Sequence, residues 1–311
     1  MNTPTGAVLV GISPEGFDAA LVFAVAEARR TGRPLHLLHI VPAKSGDAYV
    51  GVYGGMLDLA KSTLDEALAR AGALAAPDVT VTGEIVDHGW VVDDLARHTD
   101  GAGMLVLQHR VLSRLHRVFT GSVAFGVASR APVPVVSVPE GWRGDGREAG
   151  VVTAAVQDAV EGRALLRAGF EEAAARGARL AVLHAWWLSS GYDVAVVDNM
   201  MRDEYTAQFR EELAKVLEPL RAEFPDVDVR VLVRHVPPVE AVLDAAEESA
   251  LLVLGRRHHL LPIGSHLGPV ARAALGHAAC PVLVTPEPPA PAAEPQYSDL
   301  LGSIGRPEPV I

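Results

Sequence analysis

The residues best suited to chemistry lie in two loops of matching design. In Leu251 to Val284, LLVLGRRHHLLPIGSHLGPVARAALGHAACPVLV, an apolar run ends at Gly255 and Gly268-Pro269 opens a new element, with Arg256, Arg257, His258, His259 and His266 between them. In Met104 to Val138, MLVLQHRVLSRLHRVFTGSVAFGVASRAPVPVVSV, the run ends at Gln108. His109, Arg110, Arg114, His116 and Arg117 follow before Gly121, Ser122 and Val123. Glycine lets backbone amides approach an anion, hydroxyl and guanidinium groups add donors, and a helix start presents unpaired N–H groups, so the chemistry on offer is phosphate binding. The histidines lack a carboxylate or cysteine at ligand spacing, which argues against a metal centre. Nucleophile elbows, P-loops, dinucleotide fingerprints and acid–base pairs are not found, so no catalytic residue is assigned and no enzymatic activity is expected.

Such loops work only at the carboxyl end of a parallel strand and the start of a helix, and the sequence supplies both. Leu251–Leu254 and Pro281–Val284 are continuous apolar runs, as strands covered on both faces should be, and Pro269 suits a first helical position. Val270, Ala274 and His277 follow it at helical spacing. Gln108 aligns with Gly255, Gly121 with Gly268, Ala131 with Ala278 and Pro134 with Pro281 without a gap, and Leu38-His39-Ile40 finds its counterpart in Leu183-His184-Ala185. The chain is therefore two copies of one unit.

The pattern predicts, for the first copy, a strand at Ala7–Ile12, a helix at Asp18–Arg30 closed by Gly32 and a strand at Pro34–Val41. A loop at Ala43–Gly55, a helix at Met56–Ala75 and a strand at Val79–Val86 come next. Asp87-His88-Gly89 reads as a turn and Trp90–His98 as a helix before the strand at Met104. The second copy predicts strands at Val151–Val156, Leu180–Trp186 and Val227–Val233, with helices at Glu161–Arg176, Val194–Glu223 and Val239–Glu248. The expected fold is α/β: two tandem Rossmann-like domains at 1–141 and 151–285, each a five-stranded parallel sheet with helices on both faces. Residues 142–150 read as a linker. Residues 286–311 are too proline-rich to build a core and read as a disordered tail.

At 311 residues and 49% hydrophobic, the chain has enough material for two cores of roughly 140 residues each. Its net charge of −11 argues against nucleic acid or an anionic membrane as partner. No apolar run reaches the roughly 18 residues of a membrane span, and a cytoplasmic location is expected. The single cysteine, Cys280, reads as a buried structural thiol. His39 and His184 read as strand-end histidines with satisfied hydrogen bonds rather than bases. Trp186-Trp187, at a strand end, either stacks on a ligand or fills its pocket.

The tandem repeat, the strand ending LHIV and the strand–loop–helix ending CPVLV resemble the universal stress protein family over both halves. The resemblance implies a stress-response regulator or sensor with an adenine-nucleotide site per half. The ATP-binding branch carries Gly, two residues, Gly, nine residues, then Gly-Ser or Gly-Thr. Here the first half has Gln108 and Val111 for the two glycines and keeps Gly121-Ser122. The second keeps Gly255 and Gly268 but has His258 for the middle glycine and Pro269 for the hydroxyl residue. The resemblance places further contacts at Ile12, Ser13, Ile40, Arg110 and Val123 in the first half, and at Val156, Gln157, Ala185 and Arg256 in the second. Ser13 and Gln157 stand where the family has an acid, with Asp158 next door.

ATP is therefore a possible ligand at degenerate sites, with magnesium only if ATP binds. The alternative is a nucleotide-independent scaffold acting through protein partners. The scaffold reading expects a dimer or pseudo-dimer interface built from Val133–Val138 and Pro281–Thr285, strands that the resemblance places at the sheet edge where the two halves pair as an intramolecular pseudo-dimer, and a homodimer is possible.

Overall fold

The computed structural model describes residues 3–43, 47–75, 77–109, 122–144, 150–160, 162–187, 199–256 and 267–286. The first half runs β1 (Val8–Ile12), α1 (Asp18–Thr31), β2 (Leu35–Pro42), α2 (Asp47–Ala75), β3 (Val81–Gly89), α3 (Val91–His98), β4 (Met104–His109), α4 (Ser122–Ala128) and β5 (Val135–Pro139). The second runs β6 (Val151–Ala155), α5 (Arg163–Arg176), β7 (Arg179–Trp186), α6 (Asn199–Glu223), β8 (Val229–His235), α7 (Pro238–Glu248), β9 (Leu251–Gly255), α8 (Pro269–His277) and β10 (Val282–Thr285). Alternation of apolar strands with helices gives parallel pairing within each half, in the orders β3-β2-β1-β4-β5 and β10-β9-β6-β7-β8. The duplication extends to the helix ends. Gly32 and Gly177 close α1 and α5 at φ 66° and 60°. Arg33 N–H then reaches the Ala28 carbonyl and Ala178 N–H the Ala173 carbonyl, satisfying groups a helix end leaves unpaired.

β5 and β10 pair antiparallel, Val135 opposite Val284 and Ser137 opposite Val282, so the two sheets become one of ten strands. These are the strands expected to join the halves. Strand alternation sends Val136, Val138 and Leu283 to the core beneath α1, α2, α5 and α6, and Val135, Val282 and Val284 to the core beneath the other four helices. Each core therefore crosses the seam. On the first face, Glu27 and Glu172 alternate with Arg30 and Arg176 in a closed ring. Arg30 pairs with Glu27 and lies 3.4 Å from Glu172, and Arg176 pairs with Glu172 and lies 3.3 Å from Glu27. Glu27 is only 4% exposed, so its charge depends on these partners. On the second face, Arg272 lies 3.9 Å over the Phe125 ring, and Arg256 donates to the Ala131 carbonyl.

Three local expectations are corrected. Residues 47–55 are not loop: α2 begins at Asp47 and runs 29 residues. Gly54 and Gly55 each cost about 1 kcal/mol relative to Ala, which a helix of this length absorbs because propagation is easier than nucleation. Asp87-His88-Gly89 is not a turn but the end of β3, paired with β2 out to Pro42–Gly89. Gly89 serves close approach instead, since an added Cβ would lie 2.5 Å from Ile40 Cγ2 and 2.7 Å from Asp94 Oδ2. The inward face of α8 is Ala271, Ala274 and Leu275, with His277 exposed. Residues 194–198 and 287–311 lie outside the described residues. Cys280 is buried, and no helix among the described residues is long and apolar enough to cross a membrane.

At the seam His109 is also buried. Its Nδ1 lies 2.9 Å from Ser137 Oγ, and burial, helped by the nearby His277, lowers its pKa to about 4. The unfolded chain takes up a proton near pH 6.5 that the fold refuses, so stability should fall as pH drops from about 6.5 to about 4, by on the order of 3 kcal/mol. Urea midpoints measured across that window should slope less for His109→Asn; an unchanged slope contradicts this assignment. His36 and His184 are shifted the same way by burial, so part of the slope remains. In the ring, Glu27→Ala should cost about 3 kcal/mol by leaving Arg30 and Arg176 with Glu172 as the one carboxylate between them. Lys215→Ala, in an exposed pair with Glu211, should leave the urea midpoint unchanged.

Candidate functional site

At the carboxyl ends of β1, β2 and β4 the structure gathers Ile12, Ser13, Ile40 and Gln108. Ile12 and Ile40 are buried, and the Ile12 carbonyl accepts from His39 Nδ1 at 2.9 Å. Ser13 forms a turn, its carbonyl accepting from Gly16 N–H at 3.0 Å and its hydroxyl from Glu15 N–H at 3.3 Å. Gln108 reaches from β4 to the start of α1, where its Oε1 accepts from the N–H of Ala19 at 2.9 Å and of Ala20 at 3.4 Å. These are donors that a helix start would otherwise offer to a ligand. Gly16, at φ 143°, makes room for this reach, since an added Cβ would lie 2.6 Å from Gln108 Nε2. Val123 is half-buried on α4 and Ser122 is its first residue, while Arg110, Val111 and Gly121 lie outside the described residues.

The same location in the second half is open. A cleft of about 580 Å³ lies at the carboxyl ends of β6, β7 and β9 and the starts of α5 and α8. It is lined by Val156, Gln157, Ala185, Gly255, Arg256, Gly268 and Pro269, every second-half candidate except His258, which lies outside the described residues. Gly255 stands where the first half has Gln108. It sends no side chain toward the α5 start, and Ala164 and Leu165 there line the cleft. Pro269 is the first residue of α8 and Gly268 its cap, so the helix start faces the cleft with one donor removed. Arg256 lines the cleft yet spends a guanidinium N–H on Ala131 of the first half.

His184 is held on both ring nitrogens: Nδ1 donates to the Val156 carbonyl at 3.1 Å, and Nε2 accepts from the Tyr205 hydroxyl at 3.2 Å. Its ring stacks on Phe209 with centroids 3.7 Å apart, and burial lowers its pKa, so it stays neutral. His39 and His184 are thus the satisfied strand-end histidines expected. Trp186 packs against Tyr205 at 4.4 Å and His235 at 4.2 Å, lining the cleft without filling it. Tyr205, Pro238, Val239 and Val242 also line the cleft and were missed in the sequence. Pro237-Pro238 after an apolar strand marks another strand-to-helix turn at the same sheet end and was the available signal; Tyr205 sits within a long helix and gave none.

The family model for the universal stress protein family matches residues 5–139 and 150–286. The chain is 28% identical over 214 residues to universal stress protein Rv1996 of Mycobacterium tuberculosis, covering 68% of this chain and 67% of that one. It is 27% identical over 289 residues to a universal stress protein of Mycolicibacterium smegmatis, covering 89% and 96%. The crystal structure of a universal stress protein from Archaeoglobus fulgidus matches with TM-score 0.66 at 17% identity, over 90% of this chain and 98% of that one, a likeness of fold. With both halves matched and joined edge to edge, the chain belongs to the universal stress protein family, with two of its domains in tandem.

Proposed function

We propose that this chain is a ligand-responsive stress regulator that binds one adenine nucleotide, in its second half, while the first half is closed and braces the seam. The observation that carries this reading is the contrast at one duplicated position: Gln108 caps α1 in the first half, whereas Gly255 leaves a cleft of about 580 Å³ in the second. The cleft is mostly apolar with a few convergent polar groups, the usual make-up of a small-molecule site. Binding rather than catalysis fits the cleft, because both nitrogens of His184 are engaged in hydrogen bonds within the fold. If the nucleotide is ATP, magnesium would accompany the phosphates rather than bind protein ligands of its own. The scaffold reading draws support from the first half, where Gln108 occupies the start of α1.

Calorimetric titration of the nucleotide-stripped chain with AMP should give one site per chain. Gly255→Leu should lower affinity at least about tenfold with little effect on folding, since an added Cβ meets nothing closer than 3.8 Å while the longer side chain enters the cleft. Gln108→Ala should leave AMP binding intact and cost about 1 to 2 kcal/mol of stability, as the helix cap is lost. No heat with AMP at millimolar concentration, or binding lost in Gln108→Ala but kept in Gly255→Leu, contradicts the reading.

A further inference from the structure

Because the chain is a duplication, the first half is a control for what is special in the second. His39 and His184 make the same carbonyl contact, which fixes the correspondence locally: Val41 and Pro42 of β2 match Trp186 and Trp187. The second half has therefore gained an aromatic wall, Trp186 against Tyr205 and His235, with Trp187 stacked on His235 at 5.0 Å. The Trp186 indole Nε1–H is also buried, with no acceptor among the described residues. The rings of Trp186 and Tyr205 in the cleft wall suit stacking against a planar heteroaromatic ligand.

The other end of the cleft is poor in what a phosphate chain needs. Pro269 takes the position where the first half has Ser122, removing a hydroxyl and a backbone donor at once. Arg256 is committed to the Ala131 carbonyl, and His184 is neutral. Asp158, which lines the same cleft, brings a carboxylate that repels phosphate and accepts from hydroxyl or amino groups.

We propose that the second-half cleft holds its ligand by the base-and-sugar end, selecting a nucleoside or nucleoside monophosphate of the adenine series over the corresponding triphosphate. This rests on the reading of the cleft as the ligand site and specifies what it selects. Trp186, Tyr205 and Asp158 favour the base and sugar, while Pro269 removes the reward for added phosphates.

The test is titration of the full chain with adenosine, AMP and ATP with magnesium, followed by tryptophan fluorescence and calorimetry. Adenosine and AMP should bind with similar affinity and quench fluorescence, with ATP at least about tenfold weaker. Pro269→Ser, at an exposed first helical position, should raise ATP affinity about tenfold and leave adenosine unchanged, since a hydrogen bond to a charged phosphate is restored. Trp186→Leu should lose adenosine binding at least about tenfold, with circular dichroism and the urea midpoint confirming the fold. ATP binding tighter than adenosine, or Pro269→Ser leaving their ratio unchanged, overturns this selectivity while the cleft remains a nucleotide site. No binding of any of the three overturns both.

Discussion

The antiparallel pairing of β5 with β10 is the constraint on which the rest of the molecule depends. Each half alone would end its sheet in a strand with a row of unpaired N–H and C=O groups, the hazard that edge strands carry. Two copies related by a pseudo-twofold cover these edges mutually, and such a relation forces the strands to run antiparallel. The carboxyl ends of the two sets of parallel strands consequently point in opposite directions, and the two candidate sites lie at opposite ends of one sheet. Apolar cores crossing the seam on both faces, and a ring of buried charges on one of them, make the halves a single cooperative body rather than beads on a linker.

Within that near-symmetric frame, function diverges at a few side chains. Gln108 caps α1, and in the proposed function this internal hydrogen bond stands in place of a ligand. Gly255 at the matching place leaves a cleft that later residues shape: tryptophans where the first half has Val41 and Pro42, and Pro269 where it has Ser122. The seam couples the two ends as well. Arg256 at the cleft is fastened to the carbonyl after α4, and His109 beside Gln108 lies near His277 at the end of α8. A ligand that drew Arg256 away would therefore act on the first half through a defined hydrogen bond.

The architecture was legible because its signals are strong and repeated: buried parallel strands as apolar runs, Gly32 closing α1, Pro269 opening α8, and a gap-free internal alignment. What escaped the sequence depended on distant partners. Nothing local says that Gln108 crosses to Ala19 and Ala20, or that Gly16 makes room for it. The start of α2 was misread because Gly54 and Gly55 look like loop, whereas a long helix tolerates them. The substitution of Pro269 for a hydroxyl residue was visible at once, but Tyr205 and His235 became part of the site only when α6 and β8 packed against β7.

The central claim is that one duplicated position decides which half is alive. Hydrogen–deuterium exchange on the full chain, with and without saturating AMP, tests it most directly. The account predicts slower exchange at Ala164, Leu165, Ala185–Trp187, Gly255–Arg256 and Gly268–Ala271, and no change at Ser13–Ala20 or Leu105–Gln108. Protection centred on the α1 start, or equal in both halves, would contradict it.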